Sequence, residues 1–126
     1  GHARDVTVSR KDINEIQLAK AAIRAGLEIL LTKASIATKD IDEVLIAGAF
    51  GTYIDVPNAI KVGMFPNIPV GRFHQIGNAA GMGAVQALVS AKHRNLISDV
   101  IKKVDYIELS TYDDFRNEFM KAMYLQ

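Results

Sequence analysis

The sequence predicts an α/β domain with a small, mainly parallel sheet flanked by helices. Two short predicted strands, Glu43–Ala47, which contains the apolar run Val44–Ala47, and Arg72–Ile76, are each followed by a glycine-bearing stretch, Gly48–Gly51 and Gly77–Gly83 respectively. Short apolar runs bounded by turn residues are typical of buried strands. Strands that alternate with helical segments favour a parallel sheet.

A long helix is predicted to precede the sheet. Ser9 and Asp12 resemble a capping box, and the segment from Arg10 to about Lys33 follows with helical periodicity. Val6–Val8, before the cap, is predicted as a short strand or an entry segment. Gly26 inside the helix indicates tight packing against a neighbour. The predicted apolar stripe consists of Ile13, Ile16, Ala19, Ile23, Leu27, Leu30 and Leu31.

The rest of the chain supplies further predicted elements. They are a short helix from Asp55 to Val62, a helix that starts at the second glycine stretch, a helix over Leu96–Val104, a strand over Tyr106–Leu109, and a last helix with Phe115, Phe119 and Met123. Asp55 is typical of an N-cap and Gly63 of a helix stop. The last helix is predicted to be capped by Ser110 with Asp113, or by Thr111 with Asp114.

Length and composition bound the class of protein. A chain of 126 residues fits one domain, predicted over residues 6–126, and residues 1–5 are interpreted as a tag remnant and entry segment. A formal net charge of +1 lacks the electrostatic footprint of a nucleic-acid binder. The basic cluster Lys92–Arg94 is interpreted as a solvated helix start or loop. No apolar run approaches the roughly 20 residues of a membrane helix.

The chain contains no cysteine, which excludes disulfides, thiolate metal sites and iron–sulfur ligands within it. This composition is compatible with the cytoplasm, which is the predicted location. The three histidines, His2, His74 and His93, lack the spacing of metal ligands. No metal site is therefore predicted.

The two glycine stretches are the strongest candidates for a binding site. Because parallel strands end at the same edge of a sheet, both stretches are expected side by side, where α/β proteins bind ligands. Backbone N–H groups there can hold a flat or phosphate-bearing ligand. Alternatively, the glycines serve only tight turns and close helix packing. The residues alone leave both interpretations open.

Three blocks of sequence resemble one known family. Asp12-Ile13 with Gln17–Lys20, then Ala47–Gly51, then Gly77–Gly81 with Gly83-Ala84 look like the C-terminal part of the ATP-dependent reductive activators of corrinoid proteins. These belong to the acetate and sugar kinase, heat-shock-70 and actin superfamily. The resemblance extends from about Val6 to Tyr124. It implies the C-terminal half of an actin-like, ribonuclease-H-like ATPase.

The resemblance also implies a function for a longer parent protein. Such activators join an iron–sulfur domain to an actin-like ATPase. They use ATP with magnesium to reduce cob(II)alamin of corrinoid methyltransferase systems to cob(I)alamin. The implied partners are a corrinoid protein or methyltransferase and the parent's remaining lobe and iron–sulfur domain, which would hold the cluster outside this chain. The chain alone is expected to be inactive.

Candidate site residues follow from the same resemblance. Gly48, Ala49, Phe50 and Gly51 fall on the superfamily's adenosine motif, and Gly77 and Asn78 begin its second connecting helix, at the hinge between lobes. Gln17, Lys20 and Arg24 lie on the helix where relatives place polar side chains over the adenosine. The usual adenosine loop is Gly-Gly-Gly or Gly-Gly-Ala. The Phe50 ring in its place either stacks on a base or fills the pocket.

Two other functions fit the sequence. One is a docking module without nucleotide binding, in which an apolar face binds a partner subunit or, as a homodimer, a second copy. Its surfaces would be the Met64–Pro69 loop and the last helix. The other is a half-domain of a small-molecule kinase of the same superfamily. Upstream sequence with clustered cysteines favours the activator over the kinase.

Overall fold

The computed structural model of the protein describes residues 6–124, which form a mixed α/β fold. Helices and strands follow in this order: α1 (Arg10–Ala34), β1 (Val44–Ala47), α2 (Gly48–Tyr53), α3 (Val56–Lys61), β2 (Phe73–Gly77), α4 (Ala79–Val89), α5 (Ala91–Ile101) and α6 (Phe115–Ala122). Single turns of 3-10 helix lie at Thr38–Asp40, Val70–Arg72 and Leu109–Thr111. The predicted fold class is confirmed. The predicted tag remnant lies outside the described residues.

Helix α1 begins at the predicted capping box. The Ser9 hydroxyl accepts a hydrogen bond from the Asp12 backbone N–H at 3.3 Å, and the Asp12 carboxylate accepts one from the Ser9 N–H at 2.8 Å. These bonds satisfy two of the N–H groups that a helix start leaves unpaired. The helix ends at Ser35, whose φ of 56° is left-handed. The predicted extent of α1 is confirmed.

The buried face of α1 differs from the predicted stripe. Its buried residues are Lys20, Ala21, Ala25, Gly26 and Ile29, and α6 packs along this face. Ile13, Ile16 and Leu30, which belong to the predicted stripe, are exposed. Because Ala21, Ala25 and Gly26 are small, α6 can approach this face of α1 closely, and the face with bulkier side chains is left exposed. A Cβ built on Gly26 would lie 3.4 Å from Leu109 Cδ1, which confirms tight packing there.

The described strands form a parallel pair. Val44 lies opposite Phe73 and Ala47 opposite Gly77, with a register shift between Ile46 and Ala47. A parallel sheet is therefore confirmed, but β1 is not fully buried, because Leu45 is 59% exposed. The described residues cover the sheet on the face of Ile46, against which α2 packs, and leave Leu45 open.

A second small core lies beneath the connection between α3 and β2. Helix α3 begins at Asp55, whose carboxylate accepts a hydrogen bond from the Asn58 N–H at 2.8 Å, and stops at Gly63 with φ of 78°. The predicted N-cap at Asp55 and the predicted helix stop at Gly63 are confirmed. The buried side chains of this core are Val56, Ala59, Phe65, Pro66 and Ile68. The Phe65 ring also stacks on Phe73 of β2, with centroids 5.5 Å apart.

Two predicted strands are absent from residues 6–124. Val6–Val8 is exposed chain without strand pairing, and Tyr106–Leu109 leads instead into the 3-10 turn at Leu109. In the second case a local polar network competes with strand formation. The hydroxyls of Tyr106 and Ser110 each donate to the Glu108 carboxylate at 2.6 Å.

The ends of the last two helices also differ from prediction. Helix α5 begins at Ala91, five residues before the predicted start, because the Ser90 hydroxyl caps the His93 N–H at 3.3 Å. The basic cluster Lys92–Arg94 thus lies in the first turn of α5, as one of its two interpretations stated. The predicted caps of α6 are wrong. Ser110 engages Glu108 instead, and Asp114 precedes α6 without a side-chain cap.

Candidate functional site

Both glycine stretches lie at one edge of the sheet. Ala47, the last residue of β1, is the register partner of Gly77, the last residue of β2. Helix α2 starts immediately after β1, and α4 starts at Ala79. The predicted juxtaposition of the two glycine stretches is therefore confirmed. We call this region, residues 47–51 and 77–79, the glycine edge.

Two glycines keep the backbone of the glycine edge open. Gly48 has φ of 90° and Gly77 has φ of 62°, values that side-chain-bearing residues rarely adopt. Apart from chain neighbours and the backbone of the same helix, no heavy atom of residues 6–124 lies within 4 Å of the position that a Cβ would take at either residue. A ligand can therefore approach the main chain at these two points, whereas a side chain would be both strained and in the way.

Two other glycines serve packing instead. A Cβ on Gly51 would lie 2.6 Å from Ile46 Cγ2, so only glycine lets α2 fold back onto β1. A Cβ on Gly81 would meet the side chain of Asn78, whose Oδ1 accepts a hydrogen bond from the Gly81 N–H at 2.9 Å. The packing interpretation is therefore confirmed for Gly51 and Gly81, whereas ligand binding at Gly48 and Gly77 stays a prediction.

The stretch predicted as a loop after β1 is helical. Residues 48–51 form the first turn of α2, and the Thr52 hydroxyl donates to the Gly48 carbonyl at 3.2 Å. The close packing of Gly51 on Ile46 allows the chain to wind directly off the strand. The structure therefore presents a strand-to-helix junction rather than a flexible loop.

Gln75 joins the two sides of the glycine edge, and the sequence interpretation missed it. Its Nε2 atom donates to the carbonyl oxygens of Gly51 at 2.6 Å and Ile54 at 2.9 Å. The Gln75 amide thus holds the second half of α2 against β2. Its neighbour His74 is also polar, so the residue types of this strand gave no signal that singled out Gln75.

The surface of the glycine edge is neutral and partly aromatic. Phe50 is 69% exposed and Tyr53 is 89% exposed. Phe50 therefore does not fill a pocket among the described residues. Residues 48–54 and 77–90 contain no ionisable group other than the Tyr53 phenol. An uncharged, partly aromatic surface with open backbone suits the flat part of a nucleoside rather than its phosphates.

The three candidates on α1 have partners within the chain. Gln17 Nε2 donates to the Met123 carbonyl at 3.3 Å, the Lys20 ammonium donates to the Tyr124 carbonyl, and Arg24 pairs with Glu28 at 2.6 Å. Lys20 is only 1% exposed, and burial, with a further contribution from the Arg24 charge, lowers its pKa. These bonds of Gln17 and Lys20 join α1 to the residues just after α6.

Helix α4 carries small residues that were predicted to have a close neighbour. At Gly83, no heavy atom of a neighbouring element within residues 6–124 lies within 4 Å of the position that a Cβ would take. The larger side chains of α4 are also exposed: Met82, Val85, Leu88 and Val89. Helix α5 packs against α4, but the described residues provide no close neighbour at Gly83.

The described residues lack features of two other kinds of site. Between residues 6 and 124, no three histidine or acidic side chains are grouped as metal ligands would be. The helices in that range are all too short or too polar to cross a membrane.

Comparisons with known proteins agree with the sequence resemblance. Over residues 1–126 the sequence matches the family described as the C-terminal domain of RACo, the ASKHA domain. It is 38% identical to the corrinoid activation enzyme RamQ of Eubacterium limosum, over 93% of this chain and 20% of that protein. It is 25% identical to the [Co(II) methylated amine-specific corrinoid protein] reductase of Methanosarcina barkeri, over 91% of this chain and 22% of that protein.

A solved structure has the same fold. A reductive activator for a corrinoid, iron–sulfur protein superposes with a TM-score of 0.83 at 36% identity, over 94% of this chain and 19% of that one. The chain thus spans about a fifth of the length of these relatives. The whole-chain family match and the structural agreement together establish that the chain belongs to the RACo C-terminal ASKHA domain family.

Proposed function

We propose that this chain is the C-terminal nucleotide-binding domain of an ATP-dependent reductive activator. The parent protein would reduce cob(II)alamin in a corrinoid methyltransferase system to cob(I)alamin, in the cytoplasm. The observation that carries the proposal is the family match over the whole chain, together with two relatives whose names specify corrinoid activation or reduction.

The glycine edge is the proposed adenosine-binding surface. The open backbone at Gly48 and Gly77 would let the nucleoside approach the main chain, and the exposed Phe50 ring is available to stack on the base. Ala49, Gly51 and Asn78 belong to this surface through their positions in the two strand-to-helix junctions. Gln17 and Lys20 remain predicted contacts from the resemblance alone, and a nucleotide would compete with their hydrogen bonds to Met123 and Tyr124.

The remaining parts of the nucleotide would be held elsewhere in the parent. The absence of cations from residues 48–54 and 77–90 does not suit a triphosphate, whose charge requires Lys, Arg or magnesium nearby. The magnesium and the phosphates are therefore assigned to the preceding lobe. The iron–sulfur cluster would be held by the separate iron–sulfur domain of the parent, because this chain has no cysteine to ligate one.

The role of this chain in the reaction would be mechanical. Binding the nucleoside at the glycine edge, where β1 and β2 end, would fix α2 and α4 relative to the other lobe, because both helices start there. A nucleotide that binds one arrangement of the lobes more tightly shifts the population toward it. ATP binding and hydrolysis would thereby couple to the approach of the electron-donating domain and the corrinoid protein.

A docking module without nucleotide binding is the second candidate. The exposed apolar side chains of α4 favour it, because the described residues do not cover them. The two surfaces predicted for docking do not support it, because Phe65, Pro66 and Ile68 of the Met64–Pro69 loop are buried and the last helix, α6, packs against α1. The two functions differ in their dependence on ATP. Nothing in the structure favours the kinase alternative.

The proposal is tested with the full-length protein that contains this domain. Cob(I)alamin formation on a corrinoid protein is followed by visible absorbance as ATP is varied, for the wild type, Phe50→Ala and, as matched control, Tyr53→Ala. Loss of stacking should raise the ATP concentration for half-maximal rate by about 5- to 100-fold for Phe50→Ala. Tyr53→Ala should change it by less than about twofold.

Two results would contradict the proposal. Cob(I)alamin formation at the same rate with and without ATP would contradict the proposal that the parent is an ATP-dependent activator. Equal effects of Phe50→Ala and Tyr53→Ala would contradict the contact between Phe50 and the adenosine. They would not contradict the ATP-dependent activity.

A further inference from the structure

Helix α2 is too short to hold its own position at the glycine edge. It has six residues, Gly48–Tyr53, and its N-cap residue, Ala47, makes no side-chain capping bond. Isolated helices of fewer than about 12 residues are marginal in water. At the other end, the last carbonyl groups of a helix have no partner within the helix. The orientation of α2 therefore depends on bonds from neighbouring elements.

Gln75 supplies such bonds from β2. Its side-chain nitrogen donates to the carbonyl oxygen of Gly51 at 2.6 Å and to that of Ile54 at 2.9 Å. Gly51 lies in the second half of α2, and Ile54 is the C-cap residue. Ile46, the register partner of Gln75, supports the same helix from β1, since a Cβ on Gly51 would lie 2.6 Å from Ile46 Cγ2. Two paired strand residues thus hold the last turn of α2.

The helix that Gln75 holds carries the Phe50 ring. Phe50 immediately precedes Gly51, and its side chain is 69% exposed. An exposed ring on a movable helix must be ordered when a base stacks on it, and this ordering opposes binding. A ring whose backbone is already held loses less freedom. The two hydrogen bonds of Gln75 therefore act on Phe50 through the backbone of its own helix.

We propose that Gln75 is a positioning residue for the nucleotide, a role that rests on the proposed adenosine site. By holding Gly51 and Ile54, it keeps the Phe50 ring in the place where the ring stacks on the base. Gln75 acts on the binding of ATP rather than on electron transfer, because both of its partners belong to α2 or its cap. Loss of the amide should weaken ATP binding and leave the rate at saturating ATP nearly unchanged.

Two substitutions of Gln75 test this role in the full-length protein that contains the domain. Gln75→Met removes both donors, and Gln75→Asn keeps an amide that is one methylene too short to reach both carbonyls. ATP affinity is measured by calorimetry at a temperature where every variant is folded, and cob(I)alamin formation is followed as ATP is varied. Both variants should raise the dissociation constant and the ATP concentration for half-maximal rate by about 3- to 10-fold. The rate at saturating ATP should change by less than about twofold.

A matched control and a double variant separate this role from a purely structural one. Gln86→Met makes the same chemical change at an exposed position of α4 and should leave the ATP affinity unchanged. If Gln75 acts through the ring, Phe50→Ala combined with Gln75→Met should bind ATP within about twofold of Phe50→Ala alone, because residues that act as a unit have non-additive effects.

The outcomes distinguish this role of Gln75 from the proposed function. Wild-type ATP affinity in both Gln75→Met and Gln75→Asn would overturn the role, and so would effects of Gln75→Met and Phe50→Ala that multiply in the double variant. A lower rate at saturating ATP with unchanged affinity would also overturn it. In each case, weaker ATP binding by Phe50→Ala would leave the adenosine contact in place. Unchanged ATP affinity in Phe50→Ala would contradict the contact and the positioning role together.

Discussion

The side-chain amide of Gln75 lies 2.6 Å from the carbonyl oxygen of Gly51, and this hydrogen bond joins the two strand-to-helix junctions of the glycine edge. Gln75 belongs to β2, whereas Gly51 belongs to the helix that follows β1. The same amide also holds Ile54, just past the end of α2. The position of α2 relative to β2 thus depends on one side chain as well as on the strand pairing.

Gln75→Met should therefore loosen α2. The isosteric side chain keeps its bulk but loses both hydrogen bonds, which should lower the free energy of unfolding by about 1 kcal/mol. Hydrogen exchange of the α2 amides should accelerate more than that of α1. Gln86→Met, at an exposed position of α4, is the control and should leave both quantities unchanged.

Gly51→Ala should destabilise the fold. The added methyl would lie 2.6 Å from Ile46 Cγ2 and 3.4 Å from the Ile46 carbonyl carbon, so either α2 or β1 must shift. Overpacking of this kind costs about 1 to 3 kcal/mol in denaturant unfolding. Gly83→Ala has open space around it, and in a helix interior it should instead stabilise by up to about 1 kcal/mol. If both substitutions lowered the free energy of unfolding, or both raised it, the packing role assigned to Gly51 would be refuted.

The capping box should make stability depend on pH. Hydrogen bonds from the Ser9 side chain, and then from its backbone, lower the pKa of Asp12 from its ordinary 3.8. A lowered folded pKa stabilises the folded state above the unfolded pKa, and this contribution is lost as pH falls through the folded pKa. Asp12→Asn should be less stable than the wild type at neutral pH, and the gap should close below pH 3.8. If the difference in stability between Asp12→Asn and the wild type persisted as the protein unfolds in acid, ionisation of Asp12 would be excluded as its cause.

Lys20→Met separates two roles for the buried lysine. Removing the ammonium leaves the Tyr124 carbonyl without its donor and should lower the free energy of unfolding by about 1 to 3 kcal/mol. If the ammonium stays bound to the Tyr124 carbonyl, the ATP affinity of the full-length protein should not change, whereas the contact that the resemblance predicts would make it fall. Lys33→Met, exposed near the end of α1, controls for loss of charge. A large loss of ATP affinity without loss of stability would instead assign Lys20 to the nucleotide.

Local signals in the sequence predicted much of the fold. The caps of α1 and α3 form hydrogen bonds between residues three apart, so their side chains and spacing are sufficient to identify them. Strand β1 is a short apolar run followed by Gly48, and β2 ends at Gly77; both glycines have a positive φ. Their shared edge follows from the parallel pairing of adjacent strands.

Features that depend on distant contacts could not be predicted in the same way. Which face of α1 is buried depends on α6, about 90 residues later, and the thin face with Ala21 and Ala25 is the one covered. The partners of Gln17 and Lys20 are backbone carbonyls at the far end of the chain. Tyr106–Leu109 has the alternation of a strand, but the Glu108 carboxylate draws its neighbours into a turn.

The central claim, that the glycine edge binds the adenosine of ATP, is tested most directly by calorimetric titration of the full-length protein with ATP. Gly48→Val places a side chain over the open backbone, and Gly71→Val, also in open space but with ordinary φ, is the matched control. Because a side chain at φ of 90° is strained, Phe50→Ala accompanies them as a variant without backbone strain. Both Gly48→Val and Phe50→Ala should weaken ATP binding at least about fivefold while Gly71→Val does not. ATP affinity unchanged in Gly48→Val and Phe50→Ala alike would contradict the assignment.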